Sequence, residues 1–390
     1  MNIAVIGFGN AGGKIADALL DFESETDRTL SRFVLAVNSA EIDLAKLDRV
    51  PPEQRLLIGQ TDERVKGRGV GANPDLGAEI TDRDSGEIER ALDGVPFHNV
   101  DAFLVVAGLG GGTGSGGAPT LSQRIRDMYA EPVYGLGALP SHDEGGRPSL
   151  NAARSLQTFA DSVDNLLLFD NEVWQQAGDS LGSGYDRANE ELAKRVVTLL
   201  SPGEVDGSIV SETAMDSSDI KRTLSTGGVS TIAYADAPLE PGNQQQGLID
   251  RFRTNGEHAD TDYATKVYSL VRKAVRSRLT CQAVESSAER SLIVVSGPPE
   301  ELSRKGLERA RQWLEEETDS AEILAGDDPR EDADRVSAAV LLSNVTEVPR
   351  LDALQEQAVE AKSNIEAQER ARSSEIAELI TDDRNELDPV

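Results

Sequence analysis

Across 390 residues, 69 Asp and Glu oppose 39 Lys and Arg, leaving a net charge of −30. A surface this acidic repels phosphate backbones and anionic lipids alike, which excludes broad electrostatic binding to nucleic acid or to a membrane surface. The single cysteine, Cys281, excludes an internal disulfide framework, and no apolar run reaches the roughly 18–20 residues of a membrane span.

The N-terminus lacks the basic region of a secretory signal, so a cytoplasmic chain is expected, long enough for two domains. Only nine of the 39 basic residues are Lys, and the excess acid is spread along the whole chain. That pattern fits a high-salt cytoplasm, where screening removes self-repulsion.

Residues 2–7 read as a short buried strand, followed by glycines and an amphipathic helical stretch over 14–20. Further strands are expected over 33–38, 56–59, 102–109, 132–139 and 166–170, with helices over 121–129 and 149–164 between them. Such alternation predicts an α/β class: a doubly wound domain with a mostly parallel sheet. A helix over 185–200 stops at Ser201-Pro202-Gly203. Beyond it come a strand over 229–234, a long loop over 237–262, a helix over 263–278, a strand over 292–296, a helix over 299–316, and strands over 321–325 and 336–342. This half reads as a smaller α+β domain, and residues 351–382 as a terminal helix running into an acidic end. The implied division is 1–200, 201–228, 229–348 and 349–390.

Gly7-Phe8-Gly9-Asn10-Ala11-Gly12 matches the dinucleotide fingerprint GxGxxG. That motif alone carries the rival reading, a nicotinamide-dependent oxidoreductase. The second strand, however, ends in Asn38-Ser39 rather than in the acidic residue a ribose wants. A stronger signal lies at residues 108–117, where seven of ten positions are glycine at the end of the 102–109 strand. Such a run turns successive backbone N–H groups into one concavity, a following helix adds its positive end, and Thr113 and Ser115 add hydroxyls. The ligand expected there is a phosphate chain.

Gly110-Gly111-Gly112-Thr113-Gly114-Ser115-Gly116 also resembles the phosphate-loop signature of the tubulin/FtsZ superfamily. The Gly71-Ala72-Asn73 segment resembles its γ-phosphate-sensing loop, and Asn38-Ser39 the Asn-Thr of its second loop. Glu144 and Arg147 resemble a Glu…Arg pair on the sugar–phosphate side, one residue closer together than in FtsZ. Asn171 with Tyr185 and Asn189 resembles the guanine pocket of tubulins. The acidity and the mixture of features most resemble the CetZ branch. The resemblance implies a GTP/GDP-binding GTPase domain ending in a core helix, Mg2+ with the nucleotide, and a C-terminal α+β domain. Nucleotide contacts are expected at Gly9, Asn10, Ala11 and Gly12 and at the residues just named.

Two Asn amides can pair with the polar edge of guanine, and Tyr185 and Asn189, four apart, share one helical face. The resemblance further implies that Asp216 and Asp219 complete a neighbouring copy's site. The partner is then a second copy, stacked head to tail in filaments that serve cell shape or motility, with lateral contacts possible. Asp216 also suits a helix N-cap. FtsZ has Asn where Ala214 stands. No Lys or Arg in the glycine loops is expected to act as an on-board catalytic finger. His98, His142 and His258 lack ligand spacing, and Trp174, Trp313 and Cys281 read as packing residues.

The charge itself makes a prediction. At about 0.01 M salt the screening length grows to roughly 30 Å, so folding and self-association should fail in dilute buffer and recover in molar KCl. Full assembly at low salt, read by light scattering, would rule out the halophilic interpretation.

Overall fold

The computed structural model describes residues 1–174, 181–202, 215–239 and 256–386. Thr213, Ala214 and most of the loop expected over 237–262 lie outside these residues. The first six strands are β1 (Ile3–Phe8), β2 (Ser31–Asn38), β3 (Arg55–Leu57), β4 (Ala102–Gly108), β5 (Val133–Leu139) and β6 (Asn165–Asp170). Interleaved with and following them are α1 (Gly9–Glu25), α2 (Glu41–Leu44), α3 (Pro74–Arg83), α4 (Ser85–Leu92), α5 (Thr113–Met128), α6 (Gly146–Ser162), α7 (Asn171–Trp174), α8 (Leu181–Leu200) and α9 (Ser217–Leu224). The C-terminal half adds β7 (Val229–Pro238), α10 (Gly256–Val275), β8 (Ala288–Gly297), α11 (Arg304–Glu317), β9 (Glu322–Pro329), β10 (Arg335–Val345) and α12 (Pro349–Glu386).

All ten strands form one sheet in the order β3-β2-β1-β4-β5-β6-β7-β10-β8-β9. Every pairing is parallel except the two made by β10. The α/β class is therefore as expected, and the C-terminal strands extend the first sheet rather than forming another. The joint is narrow: β6 and β7 share the registered pairs Leu166–Val229 and Leu167–Ser230, whereas β7 and β10 run together from Pro238–Arg335 to Thr231–Leu342.

Both faces of the sheet are covered, which explains why its central strands read as continuous apolar runs. Along β1, Ile3 and Val5 join the core beneath α1 and α8, while Ala4, Ile6 and Phe8 join the core beneath α5 and α6. Helices α3 and α4 were not read from the sequence. The first is announced by its cap: the Asn73 side chain accepts from Leu76 N at 3.2 Å and Pro74 occupies the first turn.

Helices α1 and α5 begin earlier than their apolar periodicity suggests, so several motif glycines are helical. A Cβ on Gly12 would stand 2.2 Å from Val106 O, and one on Gly116 would stand 1.9 Å from Pro74 O. These two residues let helices touch neighbouring backbone. Neither lines the cavity described below. Gly116→Ala should therefore lose about 1–3 kcal/mol of stability through overpacking between α3 and α5. Urea unfolding at constant high salt checks this; an unchanged midpoint would mean that the interface yields freely.

Candidate nucleotide site

Parallel register brings the carboxyl ends of the central strands level: Phe8 pairs with Val37 and Ala107, Gly108 with Ala138, and Leu139 with Asp170. The loops leaving this edge enclose a cavity of 390 Å³, within the roughly 300–1,000 Å³ of small-molecule sites. Gly9, Asn10 and Ala11 line it from α1, Asn38 from β2, Gly71 and Ala72 from the loop before α3, and Gly110 to Gly114 from the β4–α5 turn. Glu144, Asn171, Tyr185 and Asn189 also line it.

The glycine turn is shorter than the run of glycines. Helix α5 starts at Thr113, so its first N–H groups, which lack intrahelical partners, face the turn. Gly111 needs its missing side chain for a different reason from Gly112. A Cβ on Gly111 would meet only Gly108 O, at 3.9 Å, and so would project into open space, whereas one on Gly112 would strike Asn73 N at 2.6 Å. Thr113 Oγ1 lies 2.7 Å from Ser39 Oγ.

Five expected site residues besides Gly12 and Gly116 fall outside the lining. Ser115 donates its hydroxyl back to Gly111 O and, at 3.3 Å, to Gly112 O, so it braces the turn. Asn73 is occupied as the α3 cap. Arg147 is exposed in the first turn of α6, beyond the bend at Gly145 (φ +95°), and does not line the cavity. Asp216 and Asp219 are elsewhere altogether. Asp216 caps α9, its Oδ1 accepting from Ser218 N at 2.8 Å and Asp219 N at 3.1 Å. These bonds, the Ser218 hydroxyl foremost, hold its carboxyl below the usual range. Helix α9 sits under the amino ends of the strands, where Lys221 Nζ is 3.5 Å from Asp101 Oδ1, just before β4. Neither aspartate lines the cavity, and the helix they open runs beneath the amino ends of the strands, the edge opposite the glycine turn.

Other residues do more here than their sequence context suggested. Asn151 Nδ2, from α6, donates to Ala72 O at 3.0 Å, Gly110 O at 3.1 Å and Gly111 O at 3.3 Å, tying two loops to one amide. It holds Ala72 at φ +56°, a left-handed conformation that is costly for a residue with a side chain. Pro119 lacks the N–H that would bond Ser115 O, and the Ser155 hydroxyl supplies that bond at 2.6 Å. The only hint in the sequence was polar Ser149, Asn151 and Ser155 on the buried face of α6. Lys14, Asp43 and Arg68 also line the cavity, so cations do stand at the loops. Tyr185 is bonded to Glu144 and Ser141, and burial together with the Glu144 carboxylate pushes its hydroxyl well above the ordinary tyrosine range. Glu144 Oε1 in turn accepts from Ser141 N at 2.8 Å.

Comparison with known proteins agrees with this architecture. Residues 2–179 match the GTPase domain of the Tubulin/FtsZ family, which defines the class of the N-terminal half. Residues 178–360 match the tubulin-like CetZ C-terminal domain. Tubulin-like protein CetZ1 of Haloferax volcanii is 51% identical over 94% of each chain, and CetZ3 of the same organism is 48% identical over the full length of both. The chain belongs to the tubulin-like CetZ family and carries a GTPase domain. A solved structure of CetZ1 from Haloferax volcanii, titled a GDP-bound monomer, superposes with a TM-score of 0.82 at 48% identity, covering 93% of this chain and all of that one. Another, titled a GTPγS-bound protofilament of CetZ2, gives 0.81 at 38% identity, covering 94% of this chain and all of that one. FtsZ from M. jannaschii, at 22% identity and a TM-score of 0.68 over 88% of each chain, shares the fold. The GTPase-domain match displaces the oxidoreductase reading, which had rested on one glycine motif.

Gly111→Val should leave the fold intact, because its side chain enters open space, and should abolish nucleotide binding by filling that space. Retained affinity for GTP, measured by equilibrium dialysis on the folded variant, would remove the turn from the site.

Proposed function

We propose that this protein binds and hydrolyses GTP and that its copies stack head to tail into filaments serving cell shape or motility. The observation that carries the proposal is one cavity lined both by a glycine turn at a helix N-terminus and by Asn171, Tyr185 and Asn189. The first suits phosphates, and the second suits a planar base with donors and acceptors on its edge. The GDP-bound CetZ1 monomer and the GTPγS-bound CetZ2 protofilament support both halves of the reading. Residues 1–200 would form the nucleotide unit, 201–228 the loop and helix offered to a neighbour, and 229–348 and 349–390 the remaining domain and helix.

Within one copy Asp216 and Asp219 do not reach the cavity, but stacking the amino edge of one sheet on the carboxyl edge of the next would bring them there. A heterologous contact of that kind does not close, so it propagates. Asp219 would orient the attacking water, and Asp216 would fix the helix that presents it. Among the described residues no group of three or more His, Cys, Asp or Glu is poised for a metal. A Mg2+ ion would therefore be held chiefly by phosphate oxygens and water, as that ion commonly is. Among the same residues no helix is long and apolar enough to cross a membrane.

Two experiments test this reading. Asn189→Leu should weaken GTP binding by about 1–3 kcal/mol, the cost of unpaired base groups; ATP competing as well as GTP against the unaltered protein would refute the guanine assignment. Asp219→Ala should bind GTP normally, hydrolyse it slowly and form persistent filaments. Adding Gly111→Val protein, which keeps its aspartates, should restore part of the hydrolysis. Turnover per molecule that is independent of concentration, with no restoration on mixing, would leave these residues with a structural role alone.

A further inference from the structure

Helix α12 opens with a cation at the end where the helix field disfavours one. Arg350 follows Pro349 in the first turn, beside the N–H groups that form the positive pole of the helix. Its side chain is only 9% exposed and reaches away from its own helix. Nε lies 3.1 Å from Asp170 Oδ1, and Nη2 donates to Pro140 O at 2.8 Å while standing 3.2 Å from Glu172 Oε2. Asp170 is itself 3% exposed, and its backbone N–H donates to Thr280 O at 2.7 Å.

Of these partners one lines the cavity and another adjoins a residue that does. Pro140 lines it directly, and Asp170 immediately precedes Asn171, which also lines it. Four residues beyond Pro140 is Glu144, which binds Tyr185. Further along, α12 lies tight on α6: a Cβ on Gly146 would stand 2.8 Å from Ala361 Cβ. Burial pushes the Asp170 carboxyl upward, and the Arg350 guanidinium opposes that push. Without the arginine, a desolvated carboxylate would be left uncompensated, and it would take up a proton or pull the end of β6 toward water.

We propose that Arg350 is the positioning residue through which α12 holds the base-facing wall of the cavity, so that discrimination between guanine and adenine depends on docking of the C-terminal helix. This rests on the guanine-nucleotide reading given above. The test uses the full chain in molar KCl, with dissociation constants for GDP and ADP measured by calorimetry. Arg350→Met should weaken GDP binding about tenfold, equivalent to about 1.4 kcal/mol, and leave ADP binding nearly unchanged, so the preference for GDP shrinks by the same factor. Arg350→Lys keeps the charge without the fork and should fall between. A lower unfolding temperature with an unaltered GDP-to-ADP preference would overturn the proposal.

Should Arg350→Met fail to fold, hydrogen exchange on the unaltered protein decides. GDP should slow exchange across residues 349–361, the part of α12 that grips the wall. Exchange there that is indifferent to GDP overturns the proposal. A native protein that binds GDP no better than ADP would instead sink the guanine reading itself, whatever Arg350 does.

Discussion

Backbone pressed against backbone at the carboxyl ends of β1 and β4 is the constraint on which this molecule depends. A Cβ on Gly7 would lie 2.5 Å from Gly12 O, and one on Gly114 would lie 3.0 Å from both Phe8 O and Gly108 O. Helix α1 can therefore start directly after β1, and α5 one short turn after β4, so that their first turns point at one place. Polar cavities in proteins need satisfied walls, and this one is braced by α6, whose Asn151 bonds three loop carbonyls and whose Ser155 bonds the α5 carbonyl of Ser115 that Pro119 leaves without a helical donor. Fold and site are thus the same packing problem. Any side chain that separates these helices also opens the wall that holds the ligand.

The sequence disclosed those parts that depend on local rules. Buried parallel strands announce themselves as apolar runs, and the helices between them announce that the pairing is parallel. The glycine turn was legible because so many glycines have few structural uses. Its limits were not, since a glycine that admits a ligand and a glycine that admits another helix look alike in one dimension. Gly111 and Gly116 illustrate the two cases. Helices α3 and α4 were missed because their apolar stripe is short and their loop is dominated by glycine and charge.

Long-range polar contacts were the least legible. Asn151 is an unremarked amide in a polar helix until its three carbonyl partners, some 40 and 79 positions away, are brought to it. Lys14 stands in an amphipathic helix, and only the fold brings it to the cavity beside Arg68. Arg350 stands at the start of a charged helix and bonds across 180 and 210 positions. In a chain this acidic and this poor in Lys, arginine forks are the natural cross-links, because one guanidinium can grip a carboxylate and a carbonyl together. Asp216 shows the converse: a residue with two plausible tasks, of which the capping one is visible within a single chain.

The joint between β6 and β7 has a mechanical meaning. Two registered pairs connect the halves of a ten-stranded sheet. Beside them the buried Asn165 amide reaches Gly227 O at 2.8 Å, Leu224 O at 3.2 Å and Ser343 Oγ at 3.2 Å. A short ladder resists shear less than a long one, whereas a buried amide with three partners resists separation. Further ties lie outside the strand pairs, since Asp170 N donates to Thr280 O at 2.7 Å and Arg350 of α12 bonds Asp170 and Pro140, so the joint is held by side chains and turns more than by a ladder.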